Sequence, residues 1–139
     1  MSDPLHPLLQ HLAERYDVER ELGGGGMSRV FLATERALGR RVVIKVLSPE
    51  LGQRVNVDRF LQEIATSATL QHPQIVPVLH AGGEDGKRYY VMPFISGESL
   101  RARLTRETRL DGRDVMRLIA PLARALAYAH RQGIVHRDV

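Results

Sequence analysis

The chain has 139 residues, room for one compact domain, with 43% hydrophobic and 26% charged residues and a formal net charge of +4. That balance excludes a disordered chain, the absence of cysteine excludes disulfides and thiolate metal sites, and 5% aromatic residues without tryptophan argue against a stacking platform for single-stranded nucleic acid. The sequence pI near 10.0 favours anionic ligands only weakly, because basic and acidic residues are interleaved and a solvated mixed surface accounts for it equally well.

Residues 7–15 carry Leu8, Leu9 and Leu12 at helical spacing, which predicts a short leading helix. The period then changes. Residues 16–22 read as a strand, 23–26 as a tight glycine turn, 29–34 as a returning strand and 41–47 as a third strand rich in Val and Ile. Residues 48–52 form a loop with Pro49. From 58 to 70 the pattern is helical, with Phe60, Ile64 and Ala68 on one face and Glu63 beside it. His72-Pro73 closes that helix, since proline disfavours helical geometry in the residue before it. Residues 75–80 and 88–92 read as two further strands, with Asp85-Gly86 as a hairpin signal between them.

Residues 93–97 read as a connector and 98–106 as a short helix. The longest helix is predicted over 112–131, capped by Asp111, with Asp114 at the positive end of its dipole. Its apolar stripe is Val115, Leu118, Ile119, Leu122, Leu126 and Ala129. Pro121 should kink or weaken one turn, and Gly133 is a stop signal. The best boundary lies near Ser96, between a small mixed lobe and a helical segment. Met1-Ser2-Asp3-Pro4 lacks the pattern of a signal peptide, and no apolar run approaches the ~20 residues of a membrane span, so a cytoplasmic, soluble chain is expected.

Two segments carry chemistry. Leu22-Gly23-Gly24-Gly25-Gly26-Met27-Ser28-Arg29-Val30 can bring backbone amides close to a phosphate chain, although a structural hairpin would also explain the glycines. A dinucleotide fingerprint requires a helix after the glycines, and here a strand follows; a Walker loop requires Gly-Lys-Ser/Thr, which is absent. A glycine loop between antiparallel strands is the arrangement that covers ATP in kinases. In Val42-Val43-Ile44-Lys45, alternation puts Val43 and Lys45 on one face and Val42, Ile44 and Val46 on the other. A lysine inside an apolar strand needs a partner or an anionic ligand, unless it guards an edge strand. Glu63 is the natural partner.

In order, the glycine loop, Lys45, Glu63, His72-Pro73-Gln74-Ile75-Val76, Tyr90-Val91-Met92-Pro93-Phe94 and His136-Arg137-Asp138 together resemble a bacterial, eukaryotic-like serine/threonine protein kinase from residue 16 to 139. The resemblance implies an α+β fold. A kinase-like N-lobe, a five-stranded antiparallel sheet plus one helix, would span 16–95. Residues 1–15 would be an extension, and 96–139 the hinge and incomplete start of a helical C-lobe. It implies ATP bound by Leu22, Gly23, Gly24, Gly25, Gly26, Met27, Ser28, Arg29, Val30, Val43, Lys45, Met92, the Pro93 carbonyl and the Ile95 amide. Asp138 would be the catalytic aspartate, supported by Lys45 and Glu63, and Arg137 the arginine that pairs with a phosphorylated activation loop. His136 reads as a packing residue. The other five histidines show no metal-ligand spacing.

The family's pattern continues past its aspartate with a lysine, an asparagine and Asp-Phe-Gly, and the last two hold Mg²⁺. None is in this chain, so no metal ligand is assigned. The resemblance implies phosphoryl transfer to protein serine or threonine at family level, with negligible activity for the chain alone. A nucleotide-binding or regulatory module of pseudokinase type is the alternative.

Overall fold

The computed structural model describes residues 6–25, 28–47, 54–84, 87–136 and 139. The elements run α1 (His6–Leu12), β1 (Tyr16–Gly25), β2 (Ser28–Glu35), β3 (Arg41–Leu47), α2 (Arg54–Thr69), β4 (His80–Glu84), β5 (Lys87–Pro93), α3 (Leu100–Glu107) and α4 (Gly112–Arg131). The chain divides into two compact units, Met1–Thr69 with Pro77–Phe94 and Leu70–Val76 with Ile95–Val139.

The first unit is built on an antiparallel five-stranded sheet of order β1-β2-β3-β5-β4. Beta-branched residues fill β3, which lies inside the sheet, and strict alternation divides its side chains. Val42, Ile44 and Val46 are fully buried in a cluster with Phe31, Ala33, Tyr89 and Val91. That cluster is closed by Leu8 and Leu12 of α1 and by Tyr16, so the leading helix is part of the core. The opposite face carries a second cluster of Leu47, Phe60 of α2 and Tyr90, with Ile64, Val78 and Met92 against it. Phe60 and Ile64 are one helical turn apart, which is why α2 lies on this face.

The five strands and the inserted helix are as expected, but several boundaries move: α1 ends at Leu12 rather than residue 15, α3 is Leu100–Glu107 rather than 98–106, and three further shifts concern β1, β4 and α2. The glycines expected as a turn are mostly strand. β1 continues to Gly25, with Gly24 paired to Arg29 and Gly25 to Ser28, because antiparallel pairing to β2 supplies the order that glycine itself lacks. Gly23, at φ 117°, follows a register shift that leaves Leu22 bulged, a geometry open to glycine. β4 is not 75–80 but His80–Glu84. Pro77 has no backbone donor for a ladder, whereas Gly82 and Gly83 extend because β5 pairs with them. Asp85-Gly86 lies outside the described residues, between the paired Glu84 and Lys87. α2 begins four residues earlier than expected, at Arg54. Residues 48–52, the expected loop, also lie outside the described residues.

In the second unit, Ser99 caps α3 by accepting from the Ala102 amide, and Asp111 caps α4 by accepting from the Asp114 amide. Arg103 joins the two helices, bonding Glu107 at 3.2 Å and Asp114 at 2.5 Å. The Tyr128 hydroxyl accepts from the Gln71 amide at 3.0 Å, and its ring meets that of His72. α4 runs uninterrupted through Pro121, so the expected weak turn does not break it. Gly133, at φ 77°, follows its last turn as expected. Of the α4 stripe only Ala129 is buried, beside Ala125. Val115, Leu118, Ile119 and Leu122 are exposed. No helix among the described residues is long and apolar enough to cross a membrane.

Two outcomes follow. Leu12→Ala should cost about 2–5 kcal/mol in denaturant unfolding, against within about 0.5 kcal/mol for Leu38→Ala at an exposed turn. Equal, small effects would remove α1 from the core. The apolar stripe on α4 should make the isolated chain self-associate, and Ile119→Glu should suppress this in sedimentation runs. A chain that is already monomeric at high concentration would contradict it.

Candidate functional site: a lysine–glutamate–tyrosine cluster on the inner sheet face

One rung crosses the whole sheet. Gly23, Val30, Lys45, Tyr90 and Ala81 are successive partners on β1, β2, β3, β5 and β4. Directly opposed residues share a face. The next rung brings Leu32, Val43 and Met92 to that same face. Four residues singled out from sequence, Val30, Val43, Lys45 and Met92, are therefore gathered on one surface. Because β3 is flanked by β2 and β5, Lys45 is not an edge-strand lysine, and the protective reading of its charge falls away.

Lys45 has its partner. Its Nζ donates to Glu63 Oε1 at 2.8 Å. Glu63 sits three residues after Phe60 on α2, so burying Phe60 turns the carboxylate towards the sheet. The same Oε1 accepts from the Tyr90 hydroxyl at 2.6 Å, and Lys45 Nζ lies 5.6 Å from the Tyr90 ring centroid. The lysine side chain is 23% exposed and the glutamate 40%, so the pair is sheltered from bulk water yet open to a solute.

Electrostatics follow from these contacts. Burial alone would push the Glu63 carboxyl up, but the hydrogen bonds from Lys45 and Tyr90 and the ammonium charge outweigh it and hold the group below its ordinary value. Burial, then the bond to Glu63, pushes the Tyr90 phenol well up, so it stays a neutral donor.

The remaining sequence-derived candidates divide. Gly23, Gly24 and Gly25 form the end of β1, and Ser28, at the start of β2, is buried. Leu22 is exposed at the bulge. The Arg29 side chain is not brought to this surface. It makes a bidentate pair with Glu21 at 2.8 Å and stacks on Phe31, on the face opposite Lys45. Pro93 ends β5 opposite Val42, and Ile95 is exposed in the second unit. Gly26, Met27, Arg137 and Asp138 lie outside the described residues.

Tyr90 was missed. Alternation puts it on the face of Met92, but its place opposite Lys45 depends on the β3–β5 register, which no local pattern contains. Of 20 lysines and arginines only Lys45 and Lys87 are lysines, and the one in β3 places a compact ammonium inside the strand.

The protein kinase domain family model matches residues 16–139. This chain belongs to the protein kinase domain family. Kinase relatives include the serine/threonine-protein kinase PrkC of Bacillus subtilis, 34% identical over 131 residues, and PknA of Mycobacterium tuberculosis, 40% identical over 134 residues. Those alignments cover 94% and 92% of this chain but only 20% and 31% of the relatives, so the chain spans less than a third of either. Among solved kinases, the PknI kinase domain of Mycobacterium tuberculosis superposes with a TM-score of 0.73 at 31% identity, covering 89% of this chain and 51% of that one. The α+β kinase-like sheet expected from sequence is thus shared with a solved kinase domain.

The sign of the pH dependence follows from the depressed Glu63 value. Its stabilisation is fully present above the ordinary carboxylate value and is lost as pH falls through the lower folded value. Glu63→Gln should therefore cost roughly 1–2 kcal/mol near neutrality, a deficit that shrinks below about pH 4. Parallel urea melts of the two proteins from pH 7 to pH 3 would check this, and a deficit constant across that range would contradict it.

Proposed function

We propose that this chain carries the nucleotide-binding lobe and the start of the helical lobe of a serine/threonine protein kinase, which transfers the γ-phosphoryl group of ATP to serine or threonine hydroxyls of a protein. The observation that carries the reading is the Lys45 ammonium, fixed at 2.8 Å by Glu63 in the middle of a central strand. A half-sheltered cation on an otherwise apolar face suits an anion that brings an apolar ring with it. ATP has that composition, and when bound it supplies the phosphoryl group.

The residues take these roles. Val30 and Val43 offer an apolar surface to the adenine ring, and Met92 guards the back of the pocket. Lys45 is the cation for the α- and β-phosphates, and Glu63 holds its Nζ in place. The paired ends of β1 and β2, around Gly25 and Ser28, would bring backbone amides near the phosphate chain. Asp138, by its match to the family's aspartate, would orient the acceptor hydroxyl and take its proton. The family's use of magnesium is not assigned to residues of this chain. Among the described residues no group of three or more histidine, aspartate or glutamate side chains could hold a metal ion, so no step is assigned to one. The serine/threonine preference rests on the names of the relatives.

Lys45→Met should weaken ATP binding to the chain by about tenfold or more in isothermal titration, the equivalent of one charge-assisted contact. In any longer protein that carries this chain and has kinase activity, the same change should lower phosphoryl transfer by about 10²–10³-fold. ATP affinity equal to that of the unaltered chain would refute the nucleotide reading.

A further inference from the structure

We propose that Tyr90 is a positioning residue for Lys45, holding the Glu63 carboxylate by its hydroxyl so that the ammonium stays aimed at the nucleotide site. The inference rests on the nucleotide reading above and adds a third member to the pair.

The geometry is specific. Both donors converge on one oxygen, Glu63 Oε1, the phenol at 2.6 Å and the ammonium at 2.8 Å. The two are not equivalent anchors. Lys45 hangs on four rotatable methylene groups, whereas Tyr90 has two side-chain torsions and a ring that is 4% exposed. That ring is packed against Phe60, with centroids 5.5 Å apart, and Phe60 lies one helical turn from Glu63 on α2. Tyr90 therefore grips α2 twice, through the ring to Phe60 and through the hydroxyl to Glu63.

The charges explain why a second donor matters. An anion at Lys45 competes with Glu63 for the ammonium. If Lys45 were the carboxylate's sole donor, each gain by the anion would leave a half-buried carboxylate without a partner, an expensive state. The neutral phenol keeps one donor on Oε1 throughout, since burial and the bond itself push its own ionisation well up. Lys45 can then lean towards an anion while Glu63 keeps its position and its charge. Tyr89, its neighbour in sequence, cannot substitute, because alternation sends its ring to the opposite face with the first cluster.

The test is ATP binding to the full chain by isothermal titration. Tyr90→Phe keeps the ring and its packing and removes the hydroxyl. It should weaken ATP binding by about 3- to 10-fold. The effect should vanish in a Glu63→Ala background, where the hydroxyl has no acceptor left, a coupling that loss of packing would not produce. 4-Aminophenylalanine at position 90, which restores a donor at the same place, should recover most of the affinity and also serves if Tyr90→Phe folds poorly. Unchanged affinity in Tyr90→Phe, or an equal loss with and without Glu63, would overturn the proposal. Lys45→Met separates the two levels. If it weakens binding while Tyr90→Phe does not, the nucleotide reading stands and the positioning role falls; if Lys45→Met has no effect, the nucleotide reading itself fails.

Discussion

The first unit is organised around one ion pair, the Lys45 ammonium on the Glu63 carboxylate. A charge in the middle of a central strand is tolerated only if something on the covering layer answers it. That requirement ties the strand to the helix. α2 must lie with Phe60 and Glu63 on the same turn facing the sheet, and β5 must meet β3 in the register that sets Tyr90 beside Lys45. Burial of Phe60 against Tyr90 and the hydrogen bonds at Glu63 Oε1 thus specify the same arrangement of α2. The opposite face needs no such device. There Val42, Ile44 and Val46 meet Leu8, Leu12 and Tyr16 in an apolar cluster.

Much of this was legible in the residues, for identifiable reasons. Alternation along 42–46 divided the two faces of β3 correctly, because a strand covered on both sides has no latitude in its side-chain period. The pairing of Lys45 with Glu63 could be expected because a cation inside an apolar strand demands a partner and Glu63 flanks the apolar stripe of α2. The cap at Asp111 and the stop at Gly133 are local chemistry, and both appear where local chemistry puts them.

What escaped was non-local. The glycines at 23–25 read as a turn because glycine is free in isolation, yet ladder bonds to β2 hold them extended. The apolar residues 75–80 carry the local strand signal, yet β5 pairs with Gly82 and Gly83 instead. Tyr90 belongs to the motif of residues 90–94 that carries the family resemblance, but its place opposite Lys45 depends on the β3–β5 register. The resemblance implies that residues 1–15 are an extension, and the family match itself starts at residue 16, yet Leu8 and Leu12 are among the most buried of the described side chains. Arg29 sits beside the glycines in sequence but is turned away by its pair with Glu21.

The central claim is that the surface around Lys45 receives the phosphates of a nucleoside triphosphate. The chain contains only two lysines, Lys45 and Lys87, so an acyl-phosphate derivative of ATP that transfers its acyl group to a nearby amine offers a direct reading by peptide mass spectrometry. The account predicts acylation at Lys45 that free ATP suppresses, with Lys87 labelled weakly and without regard to ATP. Labelling of both lysines to the same extent, indifferent to added ATP, would contradict it.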